Sequence, residues 1–241
     1  MKNIAIIPAR SGSKGLKDKN IKPLLDIPLL AYSIRAAKDS ALFDEIMVST
    51  DSDDYAQIAK DYGASVPFLR SAKTSSDTAG SWDVVTEVLS QYQTSGRYFD
   101  TICLLQPTSP LRIASDIIGS YQLFDQKNAD AITAVCEMDH SPLWSMTLPP
   151  DLSLGSFRKS LSQSKRRQDL DTYYRINGAL YIRKISYHAN SIQLLSEKEY
   201  AYVMERGRSI DIDVAEDFEL AEFLMKRSLN TYSSETVSSF V

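Results

Sequence analysis

The sequence predicts an α/β chain, a doubly wound and mostly parallel sheet with one small inserted lobe. Short apolar runs alternate with helical patterns through the first two-thirds of the chain. Polar loops follow directly on such runs at Arg10, at Ser49–Asp51 and at Gln106–Arg112. From His140 to Tyr174 the alternation lapses, broken by Pro142, Pro149 and Pro150 and then by the basic stretch Arg158–Arg167.

Each element has a local reason. Ile4–Ile7 is a buried strand that ends at Pro8, and Pro23 and Pro28 punctuate the approach to a helix over Leu29–Lys38. Glu45–Ser49 is a strand, and Asp51–Tyr62 is a helix stopped by Gly63. Val66–Leu69 reads as a short strand. Val84, Val85, Val88, Leu89 and Tyr92 give Trp82–Tyr92 a helical spacing. Thr101–Leu105 is a strand, Asp116–Gln126 a helix and Ala131–Cys136 a strand. Such alternation implies right-handed crossovers, with ligands bound beyond the carboxyl ends of the strands. The three polar loops can therefore line one crevice. Gly178–Arg183 resumes as a strand, and the alternating Ser209–Val214 leads into a helix over Ala215–Lys226. One domain spans residues 1–227, with an insertion at about 140–174 that is either a lid over the site or an oligomer contact. The Ser- and Thr-rich Ser228–Val241 is expected to be a mobile tail.

Composition narrows the classes. The 241 residues are 43% hydrophobic and 24% charged, ordinary for a globular domain. A net charge of -4 argues against a general nucleic-acid binder. Cys103 and Cys136 sit in apolar runs without metal-type spacing and read as reduced core residues, so a cytoplasmic protein is expected. The apolar start meets Arg10 at once, too soon for a signal peptide, and no run approaches the ~18 apolar residues of a membrane span.

No Gly-x-x-x-x-Gly-Lys-Ser/Thr and no Gly-x-Gly-x-x-Gly occurs after the first strand, which excludes the P-loop and the dinucleotide fingerprint. His140 and His188 are too few and too scattered for a zinc site. What remains is the loop after Ile7. Gly12 and Gly15 allow close backbone approach, and Arg10, Lys14 and Lys19 suit phosphate oxygens. Lys19 is either a further phosphate ligand or a solvated cation. Asp211 and Asp213, two apart on a strand, point the same way. Carboxylates that close repel unless a cation lies between them, and beside phosphates that cation is Mg²⁺ or Mn²⁺. A competing reading makes Asp213 a helix N-cap with Glu216 at N3, and Asp51 the start of its own helix. Gln106 is a neutral amide at a strand end, open to backbone or ligand. Ser81 could cap a helix beginning at Trp82, and Arg112 could hold the Pro107–Pro110 loop.

Ala9-Arg10-Ser11-Gly12-Ser13-Lys14-Gly15, followed by Lys19-Asn20, resembles the signature loop of the acylneuraminate cytidylyltransferases, the CMP-sialic acid synthetases. Gln106-Pro107-Thr108-Ser109-Pro110-Leu111-Arg112 resembles that family's second motif. Ser49-Thr50-Asp51, Ser76-Asp77-Thr78, Arg175-Ile176-Asn177-Gly178-Ala179-Leu180-Tyr181 and Ser209-Ile210-Asp211-Ile212-Asp213 are similar to the others, in family order from about residue 4 to residue 225. Ile176 stands where the family often has Pro.

The resemblance implies a Rossmann-like nucleotidyltransferase that moves CMP from CTP to the anomeric hydroxyl of a nine-carbon α-keto acid sugar, N-acetylneuraminic acid, releasing pyrophosphate. Legionaminic and pseudaminic acid are the alternative sugars, and a non-catalytic nucleotide-binding module is the rival class. By resemblance, Arg10, Ser13, Lys14, Asn20, Arg70 and Ser81 contact the nucleotide, Arg10 and Lys14 holding the triphosphate. Gln106, Arg167, Arg175, Asn177 and Tyr181 contact the sugar, and Asp211 and Asp213 hold Mg²⁺ or Mn²⁺. Tyr181 has core packing, and Arg167 a solvated face, as its competing reading. The resemblance also implies a homodimer, with no nucleic-acid or membrane partner.

Overall fold

A computed structural model describes residues 1–13, 15–155, 157–158, 170–188 and 191–238, with side chains to residue 229. Strand β1 (Asn3–Pro8) leads through a loop to the short hairpin of β2 (Pro23–Leu24) and β3 (Ile27–Pro28). Helix α1 (Leu29–Ser40), β4 (Glu45–Ser49), α2 (Asp53–Asp61), α3 (Ala72–Ser75) and α4 (Ser81–Thr94) follow. Then come β5 (Thr101–Leu105), α5 (Ala114–Lys127), β6 (Ala131–Glu137), β7 (Tyr174–His188), β8 (Ser191–Leu194), β9 (Glu199–Val203) and α6 (Ala215–Ser238).

The main sheet has the order β4-β1-β5-β7-β6-β9, with β8 paired to β7. β4, β1 and β5 are mutually parallel, β6 is parallel to β9, and β7 runs antiparallel to both of its neighbours β5 and β6. The two-residue period of β1 explains the double winding. Ala5 and Ile7 pack with Leu30, Ile34, Ala59, Ile117 and Phe124 of α1, α2 and α5 on one face. Ile4 and Ile6 pack with Val85, Val88, Leu89 and Tyr92 of α4 on the other. Cys103 and Cys136 are free thiols in this core. A third cluster seats Phe218, Ala221 and Met225 of α6 on Leu24, Leu29, Leu111 and Ile212.

β7 is longer than its sequence pattern indicates, because it changes register midway. Thr133 pairs with Tyr181, but Val135 pairs with Ile176. Opposite Ala134 alone, β7 passes through Asn177, Gly178, Ala179 and Leu180, a bulge that Gly178 permits with φ +77°.

Three further elements differ from expectation. Val66–Leu69 forms no strand; the β4 edge takes only a bridge from Met47 to Ser65, since Pro67 has no N–H to donate. Ser209–Val214 is extended loop outside the sheet, tied by the Ile212 N–H to the Thr108 carbonyl at 2.9 Å. Helix α6 runs past Lys226 to Ser238. In the 140–174 region the described residues include a short 3-10 turn, Pro142–Trp144, and a helical turn in which the Arg158 N–H donates to the Leu154 carbonyl at 2.9 Å, and Leu143, Trp144, Leu148, Leu152 and Leu154 are exposed. No helix among the described residues is long and apolar enough to cross a membrane.

Candidate active site

A cleft of about 500 Å³ opens at the carboxyl ends of β1 and β5. The loop after β1 forms one wall. Asp51 holds its start, accepting the Ser11 N–H at 2.7 Å and the Ser11 hydroxyl at 3.0 Å. Asp51 is free to do so because Ser52, not Asp51, caps α2. The Asn20 amide donates to the Arg10 carbonyl at 3.0 Å and closes the loop on itself. Gly12 takes φ +71°. Gly15 lies so close to the Asp211–Asp213 loop that a Cβ there would come within 2.6 Å of the Asp213 carbonyl oxygen.

The Arg10 guanidinium donates to Asp77 at 2.7 Å and to the Ser75 carbonyl at 3.3 Å, so the segment after α3 forms the opposite wall. Arg70 lies beneath that wall, its guanidinium on the Ser49 carbonyl at 2.9 Å and the Ser49 hydroxyl at 3.2 Å. Burial pushes its pKa down to about 10, which leaves it cationic at neutral pH. Ser81 is the first residue of α4 rather than its cap. Gly80 holds the cap position, with its N–H on the Asp83 carboxylate at 2.9 Å, so the Ser81 hydroxyl is not spent on capping.

Gln106 closes the far end, its amide oxygen accepting from the Thr108 hydroxyl at 3.4 Å. A Cβ at Gly178 would stand 3.6 Å from that same oxygen and 3.3 Å from Asp211 Oδ2. The bulge of β7 thus brings bare backbone against both groups.

The two aspartates differ. Asp213 is 78% exposed, and its carboxylate lies 3.3 Å from the Lys19 ammonium, which also donates to the Ile212 carbonyl at 2.5 Å. Asp213 does not cap α6. Asp217 does, accepting the N–H groups of Asp213 at 2.9 Å and Val214 at 3.0 Å. The cap box is one residue later than the Asp213–Glu216 pattern, which leaves the Asp213 carboxylate to the cleft. Asp211 is half-buried, and its Oδ1 is buried with no hydrogen-bond partner. Burial first, then the Asp213 charge, hold its carboxyl above the usual range, against the Thr108 hydroxyl, Lys19 and Arg175.

This arrangement has counterparts in known proteins. The family model for cytidylyltransferases matches residues 4–236. The chain belongs to the cytidylyltransferase family. It is 38% identical over 91% of its length to an N-acylneuraminate cytidylyltransferase of Escherichia coli, of which it spans about half, 51%. It is 34% identical to a CMP-N,N'-diacetyllegionaminic acid synthase of Legionella pneumophila, covering 94% of this chain and 97% of that one. It is 33% identical to a pseudaminic acid cytidylyltransferase of Campylobacter jejuni, with the same 94% and 97% coverage. In fold it is similar to a CMP:2-keto-3-deoxy-manno-octonic acid synthetase complexed with CTP, at TM-score 0.69 and 15% identity over 95% of this chain and 100% of that one.

Within this cytidylyltransferase cleft the structure brings together Arg10, Ser13, Asn20, Arg70, Ser81, Gln106 and Asp213 as lining residues. Asp211 sits just behind, beside Gly178. Arg175 reaches the Ser209 carbonyl at 3.1 Å, and Tyr181 meets the edge of Trp82 at 5.9 Å, half-buried with Asp211 among the charges acting on it. Asn177 departs from the expected sugar contact. Its amide is buried and spent on the Ser209 hydroxyl at 2.9 Å, the Met204 sulfur at 3.3 Å and the Ala179 N–H at 3.1 Å, so it braces the bulge from inside. Lys14 and Arg167 lie outside the described residues.

The aspartate pair suits a hard divalent ion. Asp211 Oδ1 is a buried oxygen lacking a donor, and Asp213 offers an exposed carboxylate two residues on. Among the described residues no group of three or more His, Cys, Asp or Glu converges as a metal site. Such a pair matches the sparse protein ligation of Mg²⁺, whose other positions go to water and phosphate oxygens. Sequence reasoning missed the Asp77 partner of Arg10 and the Lys19 link to Asp213. Asp77 lies within a quoted motif, but nothing in its spacing names Arg10.

Proposed function

We propose that the protein transfers CMP from CTP to the anomeric hydroxyl of N-acetylneuraminic acid and releases pyrophosphate. One observation supports this above the others: Arg10, Gln106 and Asp213 line a single cleft, with the partnerless Asp211 Oδ1 directly behind it. The guanidinium of Arg10 exchanges Asp77 for the triphosphate, and Asn20 keeps the loop closed around it. Arg70 and Ser81 face the nucleoside. The Gln106 amide, able both to donate and to accept, orients the sugar. The acceptor hydroxyl oxygen forms the new bond to the α-phosphorus, its proton is lost, and the α–β bridging oxygen departs with pyrophosphate. The residues that would hold Mg²⁺ or Mn²⁺ are Asp211 and Asp213, where the bound ion supplies charge neutralisation for the phosphate oxygens. The rest is positioning and electrostatics by the chain itself.

A second reading keeps the reaction and changes the sugar to legionaminic or pseudaminic acid. It is favoured by the relatives of those names, matched at 34% and 33% identity over nearly their whole length. The exposed leucines and Trp144 of the 140–174 region support a homodimer, and two unpaired buried thiols support a cytoplasmic setting.

The test is pyrophosphate release from CTP with N-acetylneuraminate, legionaminate and pseudaminate in turn. The largest kcat/KM is expected with N-acetylneuraminate. A larger value with either other sugar moves the assignment to it, and no release with any of them removes the transferase reading.

A further inference from the structure

Arg112 is the largest fully buried side chain among the described residues, 2% exposed. Its hydrogen bonds all go to neutral oxygens. One guanidinium nitrogen donates to the Ala179 carbonyl at 2.6 Å and to the Gln106 carbonyl at 3.3 Å; the other donates to the Ser33 hydroxyl at 2.5 Å. Its Nε is buried without a partner. Burial pushes its pKa down to about 10, so it remains charged at neutral pH. The Asp116 carboxylate acts on it without a direct ion pair, so burying this charge is costly, and an apolar side chain of similar volume would fill the same space without that cost.

What the guanidinium gains is geometry. Gln106 follows directly on β5, and Ala179 belongs to the β7 bulge, whose Gly178 faces the Gln106 amide. These strands pair through Leu105 and Leu180, and immediately beyond that pair β7 leaves its register with β6. The ladder therefore ceases to fix the bulge just where it meets the cleft. One planar nitrogen spans both carbonyls, and Ser33, whose hydroxyl also donates to the Gln106 carbonyl at 3.3 Å, sets the plane. A lysine ammonium has no such fork.

We propose that Arg112 is a positioning residue that locks the Gln106 end of β5 to the Gly178 bulge of β7 and thereby sets the shape of the sugar-acid subsite. This rests on the acceptor reading given above. Arg112 itself does not line the cleft, and it acts through the two carbonyls.

The test uses the full chain with Arg112→Lys, Arg112→Met and Ser33→Ala. The KM for the sugar acid is expected to rise about 10-fold or more in Arg112→Lys, while the KM for CTP stays within about 2-fold. Ser33→Ala should shift the sugar KM in the same direction by less. Equal changes in both KM values, or no change in either, would overturn the proposal. Amide hydrogen exchange supplies a readout that needs no sugar. Segments 105–109 and 177–181 should both exchange faster in Arg112→Lys, with 70–85 unchanged. Faster exchange in only one segment, or in neither, overturns the lock. If wild type transfers CMP to none of the three sugars, the acceptor reading fails, and the exchange result still decides the lock. If Arg112→Met does not fold, Arg112→Lys and Ser33→Ala carry the test.

Discussion

Gly15 and Asp213 meet so closely that a Cβ on Gly15 would lie 2.6 Å from the Asp213 carbonyl oxygen. The contact joins the loop after β1 to the loop that carries both aspartates, and the obstructing atom is backbone. Gly15→Ala must therefore push the two loops apart. Turnover should fall about 100-fold, as expected when reacting groups shift by an ångström or so. The melting temperature should change little, since both loops are at the surface. Pyrophosphate release and a thermal scan check this; near wild-type turnover would show that the loops part without consequence.

Asp211→Asn and Asp213→Asn should each suppress turnover by 100-fold or more, as an order of magnitude, and chelation of divalent ions should do the same to wild type. The stability effects should differ. Asp213 is 78% exposed, so its change should stay within about 0.5 kcal/mol. Calorimetric titration of Mn²⁺ into each variant in the presence of CTP reads the metal directly. Unchanged affinity in both would remove the pair from the metal site.

Arg10 is held by Asp77 at 2.7 Å, a pair partly open to solvent and worth only about 0–1 kcal/mol to the fold. Arg10→Ala should weaken CTP binding by roughly 10-fold or more, the scale of a lost charge-assisted hydrogen bond. Asp77→Asn removes a competing anion and should not weaken CTP binding. Equilibrium binding of CTP to both variants separates these outcomes, and equal losses would make Asp77 part of the nucleotide site.

Asp116 and Arg208 form a two-point ion pair at 3.0 and 3.1 Å, with Asp116 1% exposed. It ties α5 to the turn that precedes Ser209. Asp116→Ala should cost about 1–3 kcal/mol, because the Ile113 N–H and one side of the Arg208 guanidinium lose their acceptor while Arg208 keeps its ion pair with Glu205. Replacing both residues by apolar ones should cost less than the two single changes summed. Denaturant midpoints for the three variants test this.

The fold was legible in the sequence where burial is two-sided. Ile4–Ile7 and Thr101–Leu105 are apolar runs with no exposed face, and their reading as strands needs no tertiary information. Val66–Leu69 misled because Val66 packs into the core and Phe68 against Tyr92 without a strand, Pro67 being unable to join a ladder and Leu69 being exposed. β7 was read short because its register change hides Tyr174–Asn177 from any simple alternation. The polar residues of the cleft could be read from their loops. Their partners could not, because Asp77 meets Arg10, and Ser209 meets Arg175, from distant parts of the chain through the fold alone. The helix caps show the same limit. Ser52 and Asp217 each took the capping work one residue or more from where the pattern put it, and so left Asp51 and Asp213 to the site.

The reversed direction of β7 has an evolutionary corollary. Tyr174 pairs with Glu137 at the carboxyl end of β6, so β7 enters the sheet at the cleft end and carries the chain away from it. Thr172 and Tyr173 are thereby held toward the carboxyl ends of the parallel strands, while the hairpin with β8 is anchored at the opposite end. Insertions, deletions and substitutions upstream of Tyr174 can accumulate without disturbing the packed layers. A lineage could therefore vary the chain there while leaving the walls built on Arg10 and Arg70 intact.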